Sequence, residues 1–241
     1  MRISLEQAID SVINVVENKV PFSLIRIGDG EIDVLSGKPC NYDLWVHPGN
    51  NHCRRDSTSF LVEKTRDATK SADILGIFEG DIWTYEILKK IGCSYEDKPE
   101  VYAFGNLHLV TRKNFVDEIL RKRSLLLVGN SMKRWGNEIL KLKIPESKFI
   151  VYEGTTLIYT KEDFNSVIDF IKENLDSFEI ALISMGVWAG SIIAEIKKMG
   201  KIGIDFGHAP DHMLIGEYEI NTQYESIDEY YSHSKCPTCL K

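Results

Sequence analysis

The segment Ser23-Leu-Ile-Arg-Ile-Gly-Asp-Gly-Glu31 holds the densest chemistry of the chain. An apolar run from Phe22 to Ile27 stops at Gly28-Asp29-Gly30-Glu31. This reads as a buried strand ending in a turn that holds two carboxylates. The glycines allow a sharp turn and close approach of the backbone to a ligand. Two positions apart, Asp29 and Glu31 point to one side of an extended or turning chain. Two hard oxygen donors on one side suit Mg²⁺ or Mn²⁺, ions usually shared with a substrate phosphate. Arg26, inside the strand, adds a fixed cation that needs a partner, either a carboxylate or a diphosphate. Spacing alone also fits an ordinary solvated turn, so the pair must be judged with the elements that hold it.

Those elements alternate. Short apolar runs read as strands at 22–27, 73–78, 101–104, 124–128, 148–152, 179–184 and 201–206. Helical stripes fit at 4–18, 56–71, 81–91, 112–122, 132–141, 161–175 and 188–199. Continuously apolar strands between helices predict an α/β fold, a Rossmann-like three-layer sandwich with a mostly parallel sheet. With no repeat or linker, one domain over 1–232 is expected, followed by a Cys-containing tail, 233–241. In open parallel sheets ligands bind beyond the carboxyl ends of the strands. That rule selects Asp29 and Glu31, Glu79 and Asp81, Asn106 and His108, Asn130 and Ser131, Ser184 and Gly186, and His208 and Asp211. The long polar and aromatic stretch 37–56 follows the acidic turn and reads either as a pocket wall or lid, or as a surface excursion.

Composition narrows the function. The chain has 241 residues, 43% hydrophobic, with a net charge of −7. That balance argues against a nucleic-acid partner, which needs a basic face, but allows phosphate-bearing small molecules at a local cation or metal. No apolar run approaches the roughly 20 residues of a membrane span, and the amphipathic start does not read as a signal peptide. A cytoplasmic protein is expected, with peripheral membrane association and homo-oligomerisation left open. The five cysteines, Cys40, Cys53, Cys93, Cys236 and Cys239, are odd in number and scattered, which is unlike a disulfide framework. His233, Cys236 and Cys239 have ligand spacing for zinc but need a distant fourth ligand, so a reduced tail is the alternative.

Three stretches together resemble one family, the GT-D-fold glycosyltransferases of bacteria. Leu24-Ile-Arg-Ile-Gly-Asp-Gly-Glu31 is similar to that family's Arg-Phe-Gly-Asp-Gly-Glu signature. Leu125 to Glu138 resembles a strand leading into an Arg and a Gly-Asn-acid run, matched here by Arg134, Gly136, Asn137 and Glu138. Ile183 to His208 is similar to the family's strand, glycine turn, helix and Asp-x-Gly-His ending. The stretches lie in the family's order and span 22–212. Departures fall where sugar and acceptor contacts are expected: Met185-Gly-Val-Trp-Ala-Gly190 replaces the usual Gly-Pro-Thr-Ala, and Ala209-Pro-Asp-His-Met-Leu214 replaces an acidic, aromatic tail.

The resemblance implies a GT-D-type fold. It also implies a metal-dependent glycosyltransferase of hexosyltransferase type that moves a sugar from a nucleotide sugar, UDP-sugar above all, to a glycan, glycolipid or glycoprotein acceptor. By the same resemblance Asp29 and Glu31 bind Mn²⁺ or Mg²⁺. Arg26, Gly28, Gly30, Arg134, Ser184, Gly186 and His208 would hold the donor diphosphate. Backbone N–H groups after Ser184, opening helix 188–199, offer an anion site or merely cap that helix. Asp211, His208 and Asp205 are candidate catalytic groups; His208 is alternatively a structural histidine and Asp205 a turn-capping residue. Glu79 and Asp81 are secondary candidates for metal or acceptor, Asp81 equally a helix cap. At most one of Trp45, Trp83, Trp135 and Trp188 is expected to serve as a sugar platform, because large aromatics are mostly packing. The same carboxylates would also serve a metal-dependent phosphohydrolase of nucleotides or sugar phosphates. A non-catalytic nucleotide-sugar-binding or scaffold domain is the third reading.

Overall fold

The computed structural model describes residues 1–37, 55–77, 82–154, 156, 158, 160–217, 219–224 and 229, with the side chains of 55–58 and 104–107 outside the description. Helix α1 (Leu5–Glu17) opens the chain. Ser4 and Gln7 cap it reciprocally, Ser4 Oγ accepting from Gln7 N–H at 3.2 Å and Gln7 Oε1 from Ser4 N–H at 2.8 Å. Its Ala8, Ile9, Val12 and Val16 recur at helical spacing and are buried. Strand β1 (Phe22–Ile27) runs directly into α2 (Asp29–Leu35). Then come α3 (Arg55–Ser71), β2 (Ile74–Ile77), α4 (Ile82–Lys90) and β3 (Glu100–Tyr102). A 3₁₀ segment, Ala103–Thr111, leads to a mixed α/π segment, 113–120, and β4 (Ser124–Gly129). A second mixed segment, 132–143, precedes β5 (Lys148–Val151) and α5 (Lys161–Glu173). The chain continues through β6 (Ile180–Ser184), α6 (Ala189–Lys198), β7 (Ile202–Asp205) and α7 (Ala209–Leu214).

The strands form one sheet in the order β3-β2-β1-β7-β6-β4-β5, and each of its pairings is parallel. The expected "mostly parallel" sheet is therefore wholly parallel among the described strands. Strand alternation divides the apolar residues between two cores. Leu24, Leu125, Leu127, Ile180 and Leu182 face α1, 113–120 and Trp135. Ile25, Ile27, Leu126, Val128 and Ile183 face α2, α4, α5 and α6. Three layers result. Helix α6 sits close on the sheet: a Cβ at Gly190 would lie 2.9 Å from Ile25 Cγ2, and one at Gly203 2.9 Å from Ile193 Cγ2.

Every predicted strand is present within two residues of its expected ends, and so are the predicted helices where described. Not expected were α2, the 3₁₀ segment after β3, α7 and short 3₁₀ turns at Tyr95–Asp97 and Gly186–Trp188. Residues 38–54 of the 37–56 stretch, with Cys40, Trp45, His52 and Cys53, lie outside the described residues. So do Glu79, Gly80, Asp81, His233, Cys236 and Cys239, as does the side chain of Asn106.

Chain direction reverses around β1 and β7. After β1 the chain builds β2 and β3 on one side; it then crosses to β4 and β5 and fills inward through β6 to β7. The two halves meet between β1 and β7, the switch point where open α/β sheets leave a crevice. Gly129 ends β4 opposite Ser184 at φ 151°, and a Cβ there would lie 2.2 Å from the Ser184 carbonyl oxygen. Gly129→Ala is therefore expected to lose about 2–4 kcal/mol of stability by urea unfolding, from strain and overpacking together. A loss under about 0.5 kcal/mol, the range of surface substitutions, would contradict this packing.

Candidate functional site

A polar cleft opens at the carboxyl ends of four neighbouring strands, β1, β7, β6 and β4. Arg26 lines it from β1; Asp205, Gly207, His208 and Asp211 from β7 and α7; Ser184 and Gly186 from β6; Asn130 and Ser131 from β4. Sheet order thus gathers residues up to 185 positions apart, Arg26 to Asp211.

Arg26 is the sole cation in this lining, and its Nε is buried without a hydrogen-bond partner. Two buried carboxylates hold it. Asp205 Oδ2 accepts the Arg26 backbone N–H at 3.2 Å and Oδ1 the Gly207 N–H at 3.0 Å, which locks β1, β7 and the turn after β7 together. Glu31 Oε2 accepts the Gly28 N–H at 2.8 Å, and a Cβ at Gly28 would lie 3.1 Å from that oxygen and 3.7 Å from the guanidinium carbon of Arg26. Burial raises the pKa of both carboxyls, while the nearby Arg26 charge opposes the rise. Arg26 and Asp205 thus line the cleft together, with Glu31 buried close by.

The turn at β1 is a helix start. Gly28 is the N-cap, Asp29 the first helical residue and Glu31 the third. On a helix, residues two apart point in nearly opposite directions, so the expected same-side pairing of Asp29 and Glu31 is corrected. Asp29 is exposed at the end of the sheet where the cleft opens, whereas Glu31 is buried and bonds to the cap. Glu31 accepting the Gly28 N–H is one half of a capping box, the other half being impossible at a glycine; buried Ile32, Val34 and Leu35 follow. Gly30 faces away from the cleft; a Cβ there would lie 2.5 Å from Val187 Cγ1.

Other expected residues sort by the same geometry. His208 opens α7 and faces the cleft, and burial together with the Arg26 charge lowers its pKa, favouring the neutral ring. Asp211 lies on the first turn of α7 and accepts a short hydrogen bond from Ser131 Oγ, tying β4's exit to α7. Ser184 Oγ donates to the Gly207 carbonyl at 2.5 Å, so this hydroxyl holds the wall of the cleft. Gly186 opens the 3₁₀ turn Gly186–Trp188 that precedes α6. Arg134 is not brought into the cleft. Met132 and Trp135 turn fully into the core, which leaves Arg134 outside, paired with Glu138 at 3.0 Å. The Ser131–Asp211 tie was not legible from sequence, because 80 positions separate its partners.

A fully parallel α/β sheet with a polar cleft at its switch point defines a class of folds whose ligands bind beyond the carboxyl ends of the strands. Within that class, a family model for the GT-D fold-like domain matches residues 3–213, and the chain belongs to that family. One similar solved structure is described as "the highly conserved domain of unknown function 1792", which "has a distinct glycosyltransferase fold". It matches with a TM-score of 0.57 at 15% identity, over 98% of this chain and 90% of that one. Another, "a new glycosyltransferase" with the same domain from Streptococcus sanguinis, matches with a TM-score of 0.54 at 15% identity, over 89% and 85%. At such identity the likeness establishes a shared fold. No curated protein matches the chain. No helix among the described residues is long and apolar enough to cross a membrane.

His108 gives a pH signature beside the cleft. Burial, with Arg112 and His212 adding positive charge, lowers its pKa to about 4. A histidine titrating lower in the folded than in the unfolded state binds fewer protons when folded, so stability falls as pH drops from about 6.5 toward 4. Wild type is expected to lose on the order of 2–3 kcal/mol between pH 7 and 4.5 through this group, read by urea unfolding. His108→Gln is expected to flatten that limb; an unchanged slope in the variant would contradict the assignment.

Proposed function

We propose that the chain is a glycosyltransferase that takes a nucleotide sugar, with UDP the first base to test, and passes its sugar to a carbohydrate-bearing acceptor. The observation that carries this reading is the cleft itself, lined by a single arginine at the switch point of a GT-D fold-like domain. Glycosyl transfer breaks the bond between the anomeric carbon and a diphosphate oxygen, so negative charge grows on the leaving group. Arg26 is placed to take that charge through two parallel N–H donors. Glu31 and Asp205 stand near the guanidinium as countercharges, and the Gly207 turn sets His208 on the same cleft. Neutral His208 donates or accepts one hydrogen bond at a phosphate oxygen or the incoming hydroxyl. Asp211, on the other wall, takes the acceptor's proton as general base, its orientation fixed by Ser131.

A divalent ion is part of the proposal. Among the described residues no group of three His, Cys, Asp or Glu is arranged to hold an ion alone. Mg²⁺, however, is commonly held by one or two carboxylates with substrate phosphates and water completing its shell. Exposed Asp29 fits that role, with Glu31 contributing charge from behind the Gly28 cap. When bound, Mn²⁺ or Mg²⁺ would act as a Lewis acid on the leaving diphosphate.

The test is UDP release from UDP-glucose and UDP-galactose with Mn²⁺, with and without oligosaccharide acceptors. Release accelerated by an acceptor is expected. Asp211→Asn is expected to lower kcat by about 10²–10⁴-fold with nucleotide affinity intact, and Asp29→Asn to remove the metal-dependent part of nucleotide binding. Release that no acceptor accelerates, with phosphate as product, would point to hydrolysis. Metal-dependent binding unchanged in Asp29→Asn would remove that residue from the ion's site.

A further inference from the structure

The four tryptophans named as sugar platforms separate cleanly. Trp135 is fully buried, Trp188 is buried with its Nε1 donating to the Ile158 carbonyl at 3.1 Å, and Trp45 lies outside the described residues. Trp83 is 56% exposed, beside Ile82 at 76%. We propose that Trp83, flanked by Ile82 and Tyr102, is the acceptor platform of this site, and that it takes a neutral pyranose chain. The proposal rests on the transferase reading above and adds the acceptor's class and its path.

Position is the first argument. Trp83 lies one helical turn before Ile87, which is buried in the core beneath α4, so both share one stripe of the helix. Helical side chains lean toward the N-terminus of their helix, and that end of α4 lies at the carboxyl edge of the sheet. Trp83 therefore overhangs the rim on which the cleft opens. Tyr102 ends β3 on the same face: Glu100, two residues earlier, accepts from Tyr85 Oη of α4 at 3.0 Å. β2 pairs with β1 through Ile77 and Ile27, and β3 follows β2. At about 4.8 Å per strand, β3's exit lies about 10 Å from Arg26's strand, a reach of two or three sugar rings. α4 also packs directly on α2, the helix that carries Asp29.

Chemistry selects the occupant. A pyranose presents a C–H face and a rim of hydroxyls. An exposed indole matches the face and leaves the hydroxyls in water, the amphipathic use to which Trp and Tyr are suited. Exposed Glu86 on α4, exposed Asp29 and a net charge of −7 disfavour an anionic chain. The patch is also small for a subunit contact: the three side chains expose on the order of 400 Å², against about 800 Å² per partner in stable interfaces.

The test uses the whole chain and four neutral tetrasaccharides (cello-, malto-, laminari- and chitotetraose) in saturation-transfer NMR, with and without UDP and Mg²⁺. At least one is expected to receive saturation on its ring protons. Trp83→Ala is expected to weaken that ligand about tenfold or more, and Trp83→Phe to retain most of it. UDP affinity by calorimetry is expected to be unchanged in both variants. Equal oligosaccharide binding in Trp83→Ala, or no binding of any tetrasaccharide by the wild type, would overturn the platform. A wild-type dimer that Trp83→Ala dissociates in sedimentation would overturn it too, by making the patch a subunit contact. Failure of the transferase reading shows separately, as absent UDP binding in wild type and variants alike, while the nucleotide-free titration still tests the platform.

Discussion

The charge arrangement around Arg26 is the constraint on which this end of the molecule depends. An arginine in the middle of an apolar strand is tolerable only with countercharge and hydrogen-bond partners close by. Glu31 and Asp205 supply the countercharge from two sides, and each is itself held by backbone N–H groups of the turns that shape the cleft. Asp205 thereby couples the end of β1 to the exit of β7, and Glu31 ties the start of α2 to the Gly28 turn. The two acids pull the guanidinium's charge back into the protein, yet burial raises the pKa of both.

From that constraint the walls follow. With β1 and β7 locked side by side, Ser184 on β6 reaches the Gly207 carbonyl, and Ser131 on β4 reaches Asp211. Four strand exits are thus cross-tied by side chain to backbone and side chain to side chain, which fixes a binding geometry without a bound ligand. Preorganisation of this kind matters for a leaving diphosphate, because donors already aimed need no reorganisation during the reaction.

Most of the fold was legible in the sequence because burial on both faces of the sheet leaves an unambiguous trace. Leu125 to Val128 and Ile180 to Ile183 admit no partner but two apolar layers. The family resemblance added the order of the motifs. What was misread is equally physical. Gly-Asp-Gly suggests a turn, yet Gly28 is the N-cap of α2 and its N–H is taken by Glu31. Arg134 was placed in the site by motif alone, whereas buried Met132 and Trp135 decide that it faces solvent. The Ser131–Asp211 tie depends on the sheet order β7-β6-β4, which local sequence does not encode.

The central claim is that Arg26, backed by Glu31 and Asp205, is the diphosphate anchor. Calorimetric titration of UDP, with Mg²⁺ present, into wild type and Arg26→Met addresses it most directly. The account predicts binding by the wild type and at least about tenfold weaker binding by the variant, since hydrogen bonds to charged groups contribute roughly 1.5–3 kcal/mol. Equal affinity in a folded variant would place the diphosphate elsewhere and contradict the account.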